Sequence, residues 1–251
     1  MITRINAIAI KKTKYTNKQL VILSFLGGAF IAFGGLLSVL VTGNMPSVLS
    51  VHPGLVKLLF GALFPLGLIL VALMEVELFT GNNSYMIVGV LRGEFSLNKL
   101  IRNFTWVYLF NFFGALFVAV CFGYYSELLN EAQERFVMNI GVVKTSLNVE
   151  VAFLRAVACN WLVCLALWMA ARTESFSAKV IVIWFPIMAF VAMGFEHSIA
   201  NMFFIPLAML CGADISFYDF LIGNLLPVTL GNNIGGGIFV GVLHYYASRK
   251  L

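Results

Sequence analysis

Few ionisable side chains interrupt the longest apolar stretches of this sequence, and those few are the ones able to do chemistry. His197 stands in Gly194-Phe195-Glu196-His197-Ser198-Ile199-Ala200-Asn201, a polar break in an otherwise apolar run. Imidazole titrates near neutrality, so such a residue can pass a proton between a solute and solvent. It can equally be a neutral tie that hydrogen-bonds two helices together. A charged side chain at mid-membrane costs at least about 2.5–3.5 kcal/mol, and an intramembrane ionisable group is by default a functional one. That favours the proton relay. His52 and His244 belong to an outer loop and to the inner end of the last span.

A second break, Glu75-Val76-Glu77-Leu78-Phe79-Thr80-Gly81-Asn82-Asn83, lies in the first half of the chain. Glu77 and Glu196 occupy matching places. Where a helix is interrupted in hydrocarbon, its freed N–H groups need acceptors, and a carboxylate can supply one. Glu77, Glu196, Asn82 and Asn201 are therefore read as scaffold for the breaks. Glu75 receives no assignment.

The elements that must position these groups are membrane helices. The 251 residues are 61% hydrophobic and 11% charged, against about 25% charged in a soluble domain. Segments are expected at about 20–43, 54–91, 103–125, 151–171, 179–210 and 221–247, each at or above the ~20 residues needed to cross. The second and fifth are too long for one simple span. Twelve of the sixteen Lys and Arg residues fall on one side, including Arg4, Lys11, Lys12, Lys14 and Lys18 of the leader. The positive-inside rule then puts both termini in the cytoplasm. The net charge of +5 is explained by this topology, so no nucleic-acid partner is implied. Cys121, Cys159, Cys164 and Cys211 form no C-x-x-C pair and read as packing residues. No cleavable signal peptide is expected, because the first apolar run is too long for one.

The two halves match in register. Asn82 follows Glu77 by five positions, as Asn201 follows Glu196; Asn103, Asn111 and Gly114 share their spacing with Asn224, Asn232 and Gly235. Three spans per half force the second half to insert upside down. Inverted repeats with helix breaks in matching places point to a binding or transit site at mid-membrane. The expected organisation is a cytoplasmic segment 1–19 and one transmembrane pore domain 20–251, with repeats at about 20–125 and 148–247. Gly27, Gly28, Gly34 and Gly35, and later Gly231, Gly235, Gly237 and Gly241, read as helix-packing positions. Lys144, seven residues before the fourth span, is either an attractor of anions or a solvated loop residue.

The breaks resemble a known family. Gly194 to Phe203, Asn224-Leu-Leu-Pro-Val-Thr-Leu-Gly-Asn-Asn-Ile-Gly-Gly-Gly237 and Leu78-Phe-Thr-Gly are similar to the most characteristic motifs of the formate/nitrite transporter family. The likeness runs from about residue 20 to the end. It implies an all-α, aquaporin-like protomer with broken second and fifth helices, five to an assembly, in a bacterial inner membrane. It implies passage of small anions (hydrosulfide, formate or nitrite) and no enzyme activity, cofactor or metal. His197 looks like the family's central histidine and Thr80 like the hydroxyl facing it. Lys144 and Asn160 match its lysine and asparagine near the pore. Phe64 and Phe190 resemble its outer constriction, and Leu68, Leu78 and Val163 its inner one. Val76-Glu77 replaces an Ala-Asp common in formate channels, and Gly81-Asn82-Asn83 replaces a hydroxyl-rich stretch. That departure leans toward the hydrosulfide-channel branch.

Three other classes compete. A neutral-solute pore of aquaporin type shares the inverted repeat, but no Asn-Pro-Ala triplet occurs. An intramembrane metalloprotease needs clustered ligands such as H-E-x-x-H, which this chain lacks. A proton-coupled transporter of a small monocarboxylate is distinguished by its slow, alternating turnover. The leader, with Lys12 or Lys14 near the inner mouth, either gates that mouth or lies on anionic lipid.

Overall fold

The computed structural model describes residues 1–248; Arg249 and Lys250, two of the basic residues counted above, lie outside the described residues. Among the described residues every regular element is helical. The first half comprises α1 (Ile2–Thr13), α2 (Asn17–Thr42), α3 (Pro46–Val51), α4 (Pro53–Leu63), α5 (Leu66–Leu73), α6 (Phe79–Leu91) and α7 (Leu97–Phe117). The last of these continues into a π-wound stretch, Val118–Tyr124. The second half comprises α8 (Glu131–Thr145), α9 (Val149–Ala170), α10 (Phe176–Ala192) and α11 (Ser198–Leu210). Its final span winds through π-helical Asp219–Leu225, α12 (Leu226–Asn233), π-helical Ile234–Val242 and α13 (Leu243–Ala247).

Five helical stretches are long and apolar enough to cross a membrane: Asn17–Thr42, Pro53–Leu73, Leu97–Tyr124, Val149–Ala170 and Asp219–Ala247. The sixth crossing is composite. With 17 residues, α10 rises about 25 Å, short of a ~30 Å hydrocarbon core. The 13-residue α11 completes it. The first half has the same design, with α6 following α4 and α5.

Both breaks are built alike. At the end of α5, Val76 N–H donates to the Val71 carbonyl across Glu75, whose φ is +52°. At the end of α10, Phe195 N–H donates to the Phe190 carbonyl across Gly194, φ +73°. This is the left-handed Schellman ending, which satisfies late carbonyls and turns the chain out of the helix. Leu78 and His197 are then extended, at φ −122° and −120°, before α6 and α11 begin.

Close backbone approach holds each half together. A Cβ on Gly28 of α2 would run into the backbone of Asn111, and one on Gly114 of α7 into the Phe25 carbonyl. In the second half Gly235 meets the Val157 carbonyl in the same manner. Small residues at such crossings let helices pack tightly where lipid gives no hydrophobic drive.

Hydropathy alone leaves α1, α3 and α8 as leader and loop. These helices are short or amphipathic, so no apolar window reveals them. α1 turns Ile5, Ala9 and Lys12 inward at i, i+4, i+7 spacing and packs on α6. α8, opened by an Asn130–Gln133 capping box, buries Val137 and Gly141 against α11. Each of the repeats read as 20–125 and 148–247 is thus preceded by an amphipathic helix of its own.

Candidate functional site

The two half-helices α6 and α11 bring Thr80 and His197 together. Thr80 Oγ1 lies 2.9 Å from His197 Nε2, and both residues are buried. His197 also ends the extended stretch before α11, and its Nδ1 accepts the Ala200 N–H at 3.1 Å. An accepting nitrogen carries no proton, so the ring's proton sits on Nε2 and is donated to Thr80. The Phe190 ring stacks on the imidazole at 6.0 Å and meets Phe64 edge-on at 6.1 Å. Thr80 in turn offers its carbonyl to Asn160 Nδ2 at 3.1 Å and to Cys164 Sγ at 3.2 Å. Asn160 reaches on to the Asn83 side chain and the Asn232 carbonyl, tying α9, α6 and α12 at one point.

The freed backbone donors of the breaks go elsewhere than expected. Asn111 Oδ1 takes the Phe79 N–H, and Asn232 Oδ1 takes the Ser198 N–H. Each of these asparagines also donates to a carbonyl in the break, Glu77 or Glu196, and to one in the neighbouring span, Ser24 or Ala156. An amide side chain can accept and donate at once, which a carboxylate cannot.

Glu77 and Glu196 instead bind lysines. Lys12 Nζ lies 2.5 Å from Glu77 Oε1, and Lys144 Nζ 2.9 Å from Glu196 Oε1. The other carboxylate oxygen takes Asn82 and Asn103 in the first case, Asn201 and Asn224 in the second. Asn82 donates to Asn103 Oδ1 and Asn201 to Asn224 Oδ1. So Glu77, Glu196, Asn82 and Asn201 do bridge the breaks, but as ion-pair networks that anchor α1 and α8. Lys144 is thus tied to a break by its ammonium, not free in a loop.

On the face that carries α1, a cavity of about 330 Å³ is lined by Lys11, Lys12, Lys179, Glu75, Tyr85 and Leu78, among others. Glu75 pairs with Lys11 there at 2.5 Å. That hydrogen bond holds the Lys11 ammonium above the ordinary lysine range. Leu78 of that lining and Leu68, Val163, His197, Phe190 and Phe64 are all buried, so a path past them between the two faces is closed here.

Sequence reasoning singled out His197, Thr80, Lys144, Asn160 and the apolar residues; the fold brings His197 onto Thr80, Asn160 onto the Thr80 carbonyl, Phe190 onto both the imidazole and Phe64, and Lys144 onto Glu196. It left out Lys12 as an ion-pair partner, and gave Asn111 and Asn232 no task although their repeated spacing was visible. Tyr85 and Phe204, which face the two paired lysines, left no signal in the sequence beyond their positions eight residues after Glu77 and Glu196.

The architecture matches solved structures over nearly its whole length. One described as an FNT family ion channel superposes with a TM-score of 0.88 at 32% identity, covering 99% of this chain and 98% of that one. A pentameric formate channel with formate bound gives 0.81 at 33% identity, covering 93% and 98%. A probable formate transporter of Methanothermobacter thermautotrophicus is 45% identical over 98% of this chain and 94% of its own length. The formate channel BtFdhC of Bacillus thuringiensis is 40% identical over 96% and 91%, and the nitrite transporter NirC of Escherichia coli 36% over 90% and 82%. The family model for the formate/nitrite transporter matches residues 1–246. These relatives are channels and transporters rather than enzymes, and this chain belongs to the formate/nitrite transporter family.

Proposed function

We propose that the chain is a passage for small monovalent anions, formate foremost, that cross as their conjugate acids past His197. The observation that carries this is the Nε2–H of a neutral imidazole aimed at Thr80 among buried apolar side chains, with a lysine–carboxylate pair at each helix break. The names of the relatives favour formate and nitrite. Hydrosulfide remains the solute cheapest to neutralise, since it titrates near neutrality. In this reading five copies assemble in a bacterial plasma membrane, each with its own path and with both termini cytoplasmic.

The chemistry follows from two costs. An unpaired ion moved into an apolar throat loses several kcal/mol after relaxation. Protonating an acid three units above its pKa costs roughly 4 kcal/mol, at 1.36 per unit. Protonation therefore competes with bare crossing, and a resident donor lowers its barrier. The mouth lysines raise the local anion concentration. The anion then replaces Thr80 as acceptor of the Nε2–H. Handing over that proton requires Nδ1 to take one from solvent, which releases the Ala200 N–H. One proton thus crosses with each anion, and the transfer is electroneutral.

Proteoliposomes offered formate, nitrite and hydrosulfide separately across pH test this reading. The expected outcome is flux of at least one of them accompanied by proton uptake in equal amount. Flux that carries net charge, with no proton accompanying it, overturns the mechanism.

A further inference from the structure

Each paired lysine rests on an aromatic ring. Lys12 Nζ lies over the Tyr85 ring, 5.7 Å from its centroid, and Lys144 Nζ over the Phe204 ring at 5.9 Å. Both distances fall within the range where a ring face attracts an ammonium. The rings are equivalent: Tyr85 follows Glu77 by eight residues on α6, and Phe204 follows Glu196 by eight on α11. Both rings are largely buried, at 7% and 3% exposure, as are the lysines above them. Each ammonium therefore has one carboxylate partner and one ring, and little water on either side.

We propose that Tyr85 and Phe204 are positioning residues that seat the two mouth lysines and thereby set how strongly each mouth captures an anion. A lone carboxylate would neutralise its lysine and hold it flat against the break. A ring face adds attraction without adding negative charge, so it can hold the ammonium toward a passing anion without deepening its compensation by the carboxylate. The ring also offsets part of the hydration that the ammonium gives up on burial. The two seats differ in a consequential way. Tyr85 lines the cavity on the α1 face, whereas Phe204 stacks on Phe64 of the apolar constriction at 6.2 Å. The Lys144 seat is therefore continuous with the closed part of the path, and the Lys12 seat with an open cavity.

The inference rests on the anion-passage reading, and its test separates the two. Phe204 is replaced in the full chain by 4-fluoro-, 3,5-difluoro- and 3,4,5-trifluorophenylalanine, which weaken the ring face stepwise with little change in shape. Formate uptake is measured in oriented proteoliposomes from the Lys144 side. The half-saturating concentration is expected to rise stepwise, by about threefold to tenfold across the series, at unchanged maximal rate. On the Lys12 side Tyr85→Phe should leave capture intact, and Tyr85→Leu should weaken it by a similar factor. A flat fluorination series, or one that changes only the maximal rate, overturns the proposal. Acylation of Lys144 by acetic anhydride, followed by mass spectrometry, reads the seat without any flux. It should speed up with each added fluorine, and an unchanged rate overturns the proposal. A wild-type protein that carries none of formate, nitrite and hydrosulfide would instead sink the functional reading and leave the acylation series to decide the seat.

Discussion

His197 caps its own half-helix: its Nδ1 accepts the Ala200 N–H at 3.1 Å while Nε2 faces Thr80 at 2.9 Å. One ring thus joins a structural duty to a chemical one. The cap fixes which nitrogen bears the proton, and the extended backbone at His197 aims that nitrogen across the path.

Replacing His197 by Phe removes both duties and should abolish proton-linked formate flux. His197→Asn keeps a capping acceptor, so it should lose the flux while recovering most of the stability. Loss of a helix cap costs about 1 kcal/mol. Flux assays in liposomes, read beside thermal unfolding of both variants, check the separation. Unchanged flux in His197→Phe would remove the relay from the account.

The buried pairs give a second test. Lys144→Met leaves Glu196 without its ammonium, and breaking one side of a buried pair costs about 3–5 kcal/mol. Adding Glu196→Gln should return much of that stability, because the surviving amide can still accept from Asn201 and Asn224. Capture from that side should stay impaired in both. A double-mutant cycle by thermal unfolding measures the coupling.

Asn111 and Asn232 each close a break from the neighbouring span. Asn111→Ala strands the Phe79 N–H and the Glu77 carbonyl in a buried setting, at about 1–3 kcal/mol for each group. Asn232→Ala should cost the same through Ser198 and Glu196. Hydrogen exchange at Phe79 and Ser198 amides is the direct readout, with faster exchange expected in each variant.

Glu75 carries a left-handed backbone that a non-glycine residue adopts at about 1–2 kcal/mol, and its exposed pair with Lys11 is worth about 0.2–1 kcal/mol. Glu75→Gly should therefore leave stability nearly unchanged or slightly raised while loosening α1, which limited proteolysis of the leader would detect. Because Glu75 raises the proton affinity of Lys11, the pair's contribution is fully present below the ordinary lysine range. It is lost as pH climbs through the raised value. The part of any alkaline loosening of α1 that comes from this pair should be missing in Glu75→Gly, with proteolysis of the leader across pH as the readout.

Much of this molecule can be read before folding it, and the reasons are local. Breaks need polar residues inside apolar runs, so Glu77, Glu196 and His197 stand out by contrast. The inverted repeat shows because Asn103, Asn111, Asn224 and Asn232 keep their spacing. Lys12 does not stand out, since five basic residues crowd the leader and only the packing of α1 on α6 selects one of them. The bonding of Glu77 was misjudged because amide side chains 26 and 34 residues away compete for the same donors and acceptors. Ring-to-ammonium contacts depend on side-chain orientation, so Tyr85 and Phe204 cannot be found from type and spacing.

The mirrored halves carry a last implication. A wall whose two doorways share one pattern of latch, hinge and frame has no built-in front or back. Traffic through it would run downhill whichever way the concentration falls, and a cell could release a waste acid or reclaim it through the same protein each time the closed stretch opens.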